Sequence, residues 1–238
     1  MYSSDLAHIH DAGFGSFARD VAPQIAAILR RHHLTGGAVV EVGCGSGALA
    51  GHLSQSGFQV RGYDISRAMI RLARRKAPRV AFRVGSLATL SIPRCDAIVS
   101  VGEVVTYVPG RLRTLRRFFR RAYRALRPGG LLLFDFIESA DGRTYRNKSL
   151  SGRGWQITVS ARFNNSTEIL TRRMALCRRV DGRTRRSRET HRVRVYSRAA
   201  IVAALERCGF SVKTGRSFGR VRLLARHVAV IARKSARV

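Results

Sequence analysis

Lysine is almost missing from this chain. Of 45 Lys and Arg residues, only Lys76, Lys148, Lys213 and Lys234 are lysine; acids number 14, and the formal net charge is +31. A chain this positive repels itself and attracts polyanions whatever their sequence. Cysteine is scarce too. Cys44, Cys95, Cys177 and Cys208 are scattered, with no CxxC pair or zinc-ligand spacing. That argues for reduced thiols in a cytoplasmic protein and against a disulfide framework. No apolar run nears the ~20 residues of a membrane span; the longest, Leu131–Ile137, is strand-sized. The opening MYSSDLAHIHD has no basic start followed by an apolar segment, so no signal peptide is expected. Trp155 is the only tryptophan, and a core role is expected for it. The 238 residues, 45% hydrophobic, can bury one sizeable core but hardly two.

What is present is an alternation of strand and helix signals. Phe17–His33 predicts a helix on the stripe Val21, Ile25, Ile28 and Leu29, with Pro23 in its first turns and Gly36-Gly37 ending it. Strands are expected at Ala38–Val42, Phe58–Tyr63, Val80–Val84, Asp96–Val101 and Leu131–Ile137. Helices are expected at Ala48–Ser56, Arg67–Lys76 (capped by Ser66) and Arg111–Leu126. This order predicts an α/β fold: a doubly wound, mostly parallel, seven-stranded sheet. Residues 139–153 read as loop. Three extended segments follow, Trp155–Phe163, Ile169–Val180 and Arg185–Tyr196, with a hairpin at Asp181-Gly182. A helix at Arg198–Cys208 and strands at Phe210–Thr214 and Val228–Ile231 close the chain. One domain, 1–238, is expected: an N-terminal lid and helix (1–37), a core (38–137), an antiparallel insertion (about 150–196) and closing elements (197–238).

Ligands of such sheets bind beyond the carboxyl ends of the strands, where the strand order switches. The first strand-to-helix turn is Glu41-Val42-Gly43-Cys44-Gly45-Ser46-Gly47, and Asp64 ends the second strand. Glycines let the backbone turn tightly and approach a ligand. A carboxylate at Asp64 can accept both hydroxyls of a ribose. Gly43-x-Gly45-x-x-Ala48 also fits the dinucleotide fingerprint, so the glycines alone leave a nicotinamide reading open. Glu41 two residues before the first glycine, the GxGxG spacing, the Leu126-Arg127-Pro128-Gly129-Gly130 entry to the fifth strand and the lack of a YxxxK pair tilt against it.

Four landmarks stand in order: EVGCGSG (41–47), YDIS (63–66), CDAIVSVGEVVTY (95–107) and LRPGGLLLFDF (126–136). On these the chain resembles the class I methyltransferases that use S-adenosylmethionine, over roughly Val39–Ile137 and the closing elements. SDLAHIHDAGFGSFA (4–18) and ETHRVRVYS (189–197) further resemble a small-molecule branch, some of whose members act on sugar amines. The resemblance implies that Gly43, Gly45 and Gly47 line the methionine part of the cofactor, with Gly102 at the same edge. Glu41 would hold the cofactor's amino group and Asp64 its ribose. Ile65 and Met69 would face the adenine, and Ser86 and Leu87 would flank its edge. The family usually has an acid near that edge; here Gly85-Ser86 stands there, and Ser86 would accept in its place.

For chemistry, Glu103 after the fourth strand is the candidate to orient an amine or take a proton. Tyr107 would wall the site, and His191 would join it if the insertion caps the pocket. No further ligand is spaced to complete a metal site with His8, His10 and Asp11, and no metal is expected. The expected function is methyl transfer to N or O of a small molecule. An RNA methyltransferase and a cofactor-binding module without turnover remain alternatives. The helix at 111–127 carries eight arginines opposite an intact apolar face, which reads as a solvated surface with incidental polyanion affinity.

Overall fold

A computed structural model describes residues 2–107, 112–138 and 145–235. In chain order the elements are α1 (Ser4–Arg31), β1 (Ala38–Val42), α2 (Ala48–Gln55), β2 (Gln59–Asp64), α3 (Arg67–Lys76), β3 (Ala81–Val84) and β4 (Cys95–Ser100). A 3-10 turn (Val104–Tyr107), α4 (Leu112–Ala125), β5 (Leu126–Ile137), β6 (Tyr145–Gly152), β7 (Trp155–Asn164), β8 (Ile169–Val180) and β9 (Arg183–Arg194) follow. Then come α5 (Arg198–Glu206), β10 (Phe210–Gly215), the short hairpin β11 (Ser217–Phe218) and β12 (Val221–Arg222), and β13 (His227–Lys234).

Seven strands form the main sheet in the order β10-β13-β5-β4-β1-β2-β3. β1 to β5 run parallel, and β13 is antiparallel to both of its neighbours. The strand order reverses between β1 and β4. This is the doubly wound, mostly parallel sheet that the sequence predicts.

Its strands read as continuous apolar runs because helices cover both faces. Along β5, Leu131 and Leu133 join the cluster packed by α1 and α2, while Leu132, Phe134 and Phe136 join the one packed by α4 and α5. β4 alternates likewise, with Ala97 and Val99 on the first face and Cys95 and Ile98 on the second. On α4, Leu115, Phe118, Phe119 and Ala122 are buried, and Arg113, Arg116, Arg117, Arg120 and Arg124 are exposed. Arg121 is structural: it donates to the Leu87 and Ala88 carbonyls at 2.6 and 2.8 Å.

Three boundaries depart from the sequence reading. The first helix begins at Ser4, not Phe17, with the Ser3 hydroxyl capping the Leu6 N–H at 3.2 Å. Gly13 and Gly15 lie inside this helix, where glycine is a weak helix former. A Cβ on Gly13, however, would lie 2.7 Å from the Trp155 ring, so this glycine allows close helix–sheet approach inside α1. Pro23 consequently falls deep in the helix rather than in its first turns. Second, the Pro128-Gly129-Gly130 stretch is strand with a register shift, so β5 starts at Leu126. Third, part of the expected loop is β6, a polar strand without alternation that pairs with β7 and adds a fourth strand to the insertion sheet β6-β7-β8-β9. Arg111 and residues 139–144 lie outside the described residues. Asp181 and Gly182 both take left-handed φ (+49° and +77°), as a tight hairpin between β8 and β9 requires.

Among the described residues, no helix is long and apolar enough to cross a membrane. Phe119 is fully buried and stacks on Phe134 at a centroid distance of 5.6 Å. Phe119→Ala is expected to cost about 3–5 kcal/mol in urea unfolding. A loss below about 1 kcal/mol would show the α4 face to be loosely packed.

Candidate active site

The turn after β1 is held from beneath by β2. The Gly43 and Cys44 N–H groups donate to the Tyr63 carbonyl at 2.7 and 3.0 Å. Gly43, Gly45 and Gly47 all have left-handed φ, but they serve different ends. A Cβ on Gly43 would strike the Val104 side chain, and one on Gly47 would lie 2.8 Å from Phe82. A Cβ on Gly45 would meet nothing within 4 Å. Two glycines are therefore demanded by neighbouring protein, and only Gly45 borders open space.

Two carboxylates face this turn. Asp64 is locked in place: its Oδ2 accepts from the Gly45 N–H at 2.9 Å and its Oδ1 from the Ser66 N–H at 2.8 Å. Each oxygen keeps a lone pair for a ligand hydroxyl. Burial raises the Asp64 pKa against these two bonds. Glu41 is 3% exposed, and its Oε2 has no hydrogen-bond partner. Burial first, and the nearby Asp64 charge second, push its carboxyl well above the usual range. A backbone hydrogen bond at Ala50 offsets this only in part, and a buried carboxylate with one oxygen unpaired is costly. A ligand with a cationic group at one end and vicinal hydroxyls at the other relieves that cost and uses both acids.

Across the strand-order switch, β4 supplies the second half of the site. The Ser100 hydroxyl donates to the Val42 carbonyl at 2.8 Å, tying β4 to β1. Beyond it Gly102 and Glu103 both take left-handed φ, +87° and +60°. The Glu103 carboxylate pairs with Arg172 of β8 at 2.9 and 3.2 Å, and the same guanidinium donates to the Tyr107 hydroxyl at 3.2 Å. His191 of β9 is buried, edge-on to Tyr107 with centroids 5.7 Å apart and 5.1 Å from the Tyr2 ring. Its Nε2 lies 3.0 Å from Glu189 Oε2, whose other oxygen accepts from the Ser3 N–H at 2.9 Å. Burial works against the Glu189 anion, but the His191 and Ser3 hydrogen bonds outweigh it and hold its pKa low. A carboxylate only accepts, so Nε2 of His191 carries the proton and Nδ1 is the basic nitrogen.

A methyltransferase-domain family model matches residues 39–130. Over 222 residues the chain is 25% identical to a dTDP-3-amino-3,6-dideoxy-alpha-D-glucopyranose N,N-dimethyltransferase of Streptomyces fradiae, covering 89% of this chain and 86% of that one. Seven further curated relatives match over 38% to 55% of their own length. DesVI of Streptomyces venezuelae superposes with a TM-score of 0.80 at 19% identity, covering 99% of this chain and 100% of that one. CalS10, an amino pentose methyltransferase of Micromonospora echinaspora solved with S-adenosylmethionine bound, gives 0.73 at 20% identity over 91% and 92%. The chain is a class I S-adenosylmethionine-dependent methyltransferase.

The methyltransferase brings most of the sequence-marked residues to one edge of the sheet, with differences in detail. Ile65 is half exposed beside Asp64, as a free apolar wall would be. Met69 is not free: its side chain packs with Ala7 and Ala68, against Tyr2 and Leu72, under α1. Leu87 is buried in the α4-side core. The Ser86 hydroxyl accepts from the Ala88 N–H at 3.2 Å. Gly102 borders open space. His10 contacts Tyr2 and Phe14, and Asp11 is paired with Lys76 at 2.6 Å; among the described residues no group of three metal-ligating side chains forms. The sequence reading places the arginine cluster 172–194 where it could border the site but does not single out Arg172, and it missed Asp135, an acid inside the apolar run Leu131–Ile137 that could have been marked for that reason.

The state of Glu41 has a consequence for stability. Its folded pKa is raised, so the carboxyl adds stability below its unfolded pKa and loses it as pH rises through the folded value. At neutral pH, Glu41→Gln is expected to stabilise the ligand-free protein by about 1–3 kcal/mol in thermal or urea unfolding. The same change should weaken cofactor binding. A destabilised Glu41→Gln protein would contradict the unpaired-carboxylate account.

Proposed function

We propose that this methyltransferase acts on a small molecule, methylating the amine of a sugar carried on a nucleotide diphosphate. The observation that carries the reading is the polar box beside the cofactor turn: Glu103, Tyr107 and Arg172 on one side, Tyr2, His191 and Glu189 on the other. The alignment with the Streptomyces fradiae enzyme, whose name specifies such an acceptor, supports it by running through the insertion that supplies Arg172, Glu189 and His191. The arginine-rich strands β8 and β9 suit a diphosphate, since guanidinium forks match phosphate oxygens.

Gly45, Glu41 and Asp64 hold the cofactor: Asp64 takes the ribose hydroxyls and Glu41 the cationic amino-acid end. Ile65 flanks the adenine and Ser86 accepts at its edge. When bound, S-adenosylmethionine supplies a methyl group already activated on a sulfonium. The residues of the chain need only aim the acceptor and exclude water, and positioning of this kind is worth roughly 7–11 kcal/mol of barrier.

Glu103 draws the sugar ammonium in and orients it. Nitrogen attacks only through a free lone pair, so a proton must leave first. His191 takes it on Nδ1, while Glu189 on Nε2 fixes the tautomer and steadies the imidazolium that forms. Tyr107, edge-on, and Tyr2, tilted, flank the imidazole and wall the acceptor from water. The net charge of +31 adds a sequence-independent affinity for polyanions, which fades steeply with salt.

Two measurements check this reading. In calorimetry with S-adenosylmethionine, Asp64→Ala and Gly45→Val should each weaken binding by about tenfold or more, the loss of a hydrogen bond to a charged group or of the open cradle. Unchanged affinity in both would refute the cofactor assignment. With dTDP-3-amino-3,6-dideoxyglucose as acceptor, His191→Ala should lower kcat by about 100-fold or more, as the loss of a general base does, at unchanged cofactor affinity. A wild-type protein that methylates labelled RNA at moderate salt, and not this amine, would overturn the acceptor assignment.

A further inference from the structure

The Glu103 backbone has anchors of its own, separate from the Arg172 pair on its side chain. Glu103 follows Gly102, and both residues have left-handed φ, a conformation that an L residue with a long side chain leaves readily unless something holds it. Its carbonyl is anchored on one side, accepting from the Thr106 N–H at 2.9 Å and the Thr106 hydroxyl at 2.5 Å. The other side is anchored from the neighbouring strand. Asp135 of β5 accepts from the Gly102 N–H through Oδ1 at 2.6 Å and from the Glu103 N–H through Oδ2 at 3.1 Å.

Asp135 is an unusual residue in its surroundings. It is 1% exposed, between the fully buried Phe134 and Phe136, and opposite Ala229 of β13. No arginine or lysine pairs with it among the described residues; its other neighbour is His227, with Nδ1 3.6 Å from Oδ2. A buried carboxylate is tolerated when hydrogen bonds satisfy its oxygens. Here the two donors are consecutive backbone N–H groups of the strained turn. The acid is solvated by the turn, and the turn is held in shape by the acid. With the backbone fixed in this way, the Glu103 side chain reaches across to pair with Arg172.

We propose that Asp135 is the positioning residue for Glu103. It clips the turn after β4 in its left-handed form and so fixes where the acceptor-orienting carboxylate stands. This rests on the role given to Glu103 above. The clamp spans β5 and the end of β4, one strand away from the Gly45–Asp64 contact, so it governs the acceptor side and leaves cofactor binding alone.

Asp135→Asn tests it at constant shape. The amide keeps one acceptor oxygen and turns an NH2 toward the second backbone N–H. By NMR, exchange of the Gly102 or Glu103 amide should speed up by about tenfold or more, while core β1 and β4 amides stay protected. Calorimetric affinity for S-adenosylmethionine should stay within about threefold of wild type, less than one hydrogen bond's worth. Unchanged protection at both amides, or protection lost equally across the sheet, would overturn the clamp. This readout needs no acceptor and decides the clamp even if the amino-sugar reading fails. With dTDP-3-amino-3,6-dideoxyglucose, kcat should drop by about tenfold or more in both Asp135→Asn and Glu103→Gln, with no further drop in the double variant, because residues acting as one unit are not additive. Additive losses would mean that Asp135 acts independently of Glu103 and would overturn the proposal, as would full activity of Asp135→Asn. If Glu103→Gln alone were fully active while the amides lost protection, the reading of Glu103 would fall and the clip would stand.

Discussion

A buried carboxylate with an empty hydrogen-bonding oxygen is the constraint around which this structure is arranged. Glu41 lies on a central strand of the sheet, opposite Gly62 on one side and Val99 on the other, where water cannot reach it. One strand over, Asp64 is satisfied by two backbone N–H groups and leaves Glu41 without comparable support. The ligand-free protein carries this cost in its own core. Such a cost is tolerated at a site whose ligand brings the missing positive charge. The glycine turn follows from it: Gly43 and Gly47 let the chain fold back against Val104 and Phe82, which brings Gly45 and its open space beside Asp64.

The acceptor side is assembled from elements far apart in sequence. Glu103 and Tyr107 come from the turn after β4, Arg172 and His191 from the insertion sheet, and Tyr2 from the segment before α1. That segment joins the two halves. The Tyr2 carbonyl accepts from the Ser66 hydroxyl at 2.9 Å, two residues from Asp64, while the Ser3 N–H donates to Glu189 in the insertion. α1 is long because it must pack on the main sheet at one end and the insertion at the other: Ile25 and Leu29 belong to the main core, Leu6 and Ile9 to a cluster with Ile157, Met174 and Leu176. The closeness of Gly13 to Trp155 is the point where these layers meet.

This division explains what could be read from the sequence. β1, β4 and β5 are buried on both faces, so their apolar runs and the glycines after them are strong local signals. Glu41, Asp64 and Glu103 stand at fixed offsets from those signals, and the structure puts all three at the same edge of the sheet. Where a position depends on tertiary packing, local pattern misleads. Gly13 is a weak helix former, yet it sits inside α1 as a packing contact. β6 has no alternation because it is a polar edge strand. Met69 follows the ribose turn at a spacing that suits a ligand wall, yet α1, whose N-terminal half was not expected to be helical, covers it. Arg172 could not be told from its neighbours by sequence: it differs from Arg173 only in which face of β8 it occupies, and that becomes visible only once the sheet is folded over the site.

The most direct measurement is a crystal structure with S-adenosylhomocysteine bound. The account requires its ammonium within hydrogen-bonding distance of Glu41 Oε2, its ribose hydroxyls on Asp64 and its sulfur facing the Glu103–His191 side. A ligand seated elsewhere, with Glu41 still unpartnered beneath it, would contradict the claim that this acid defines the site.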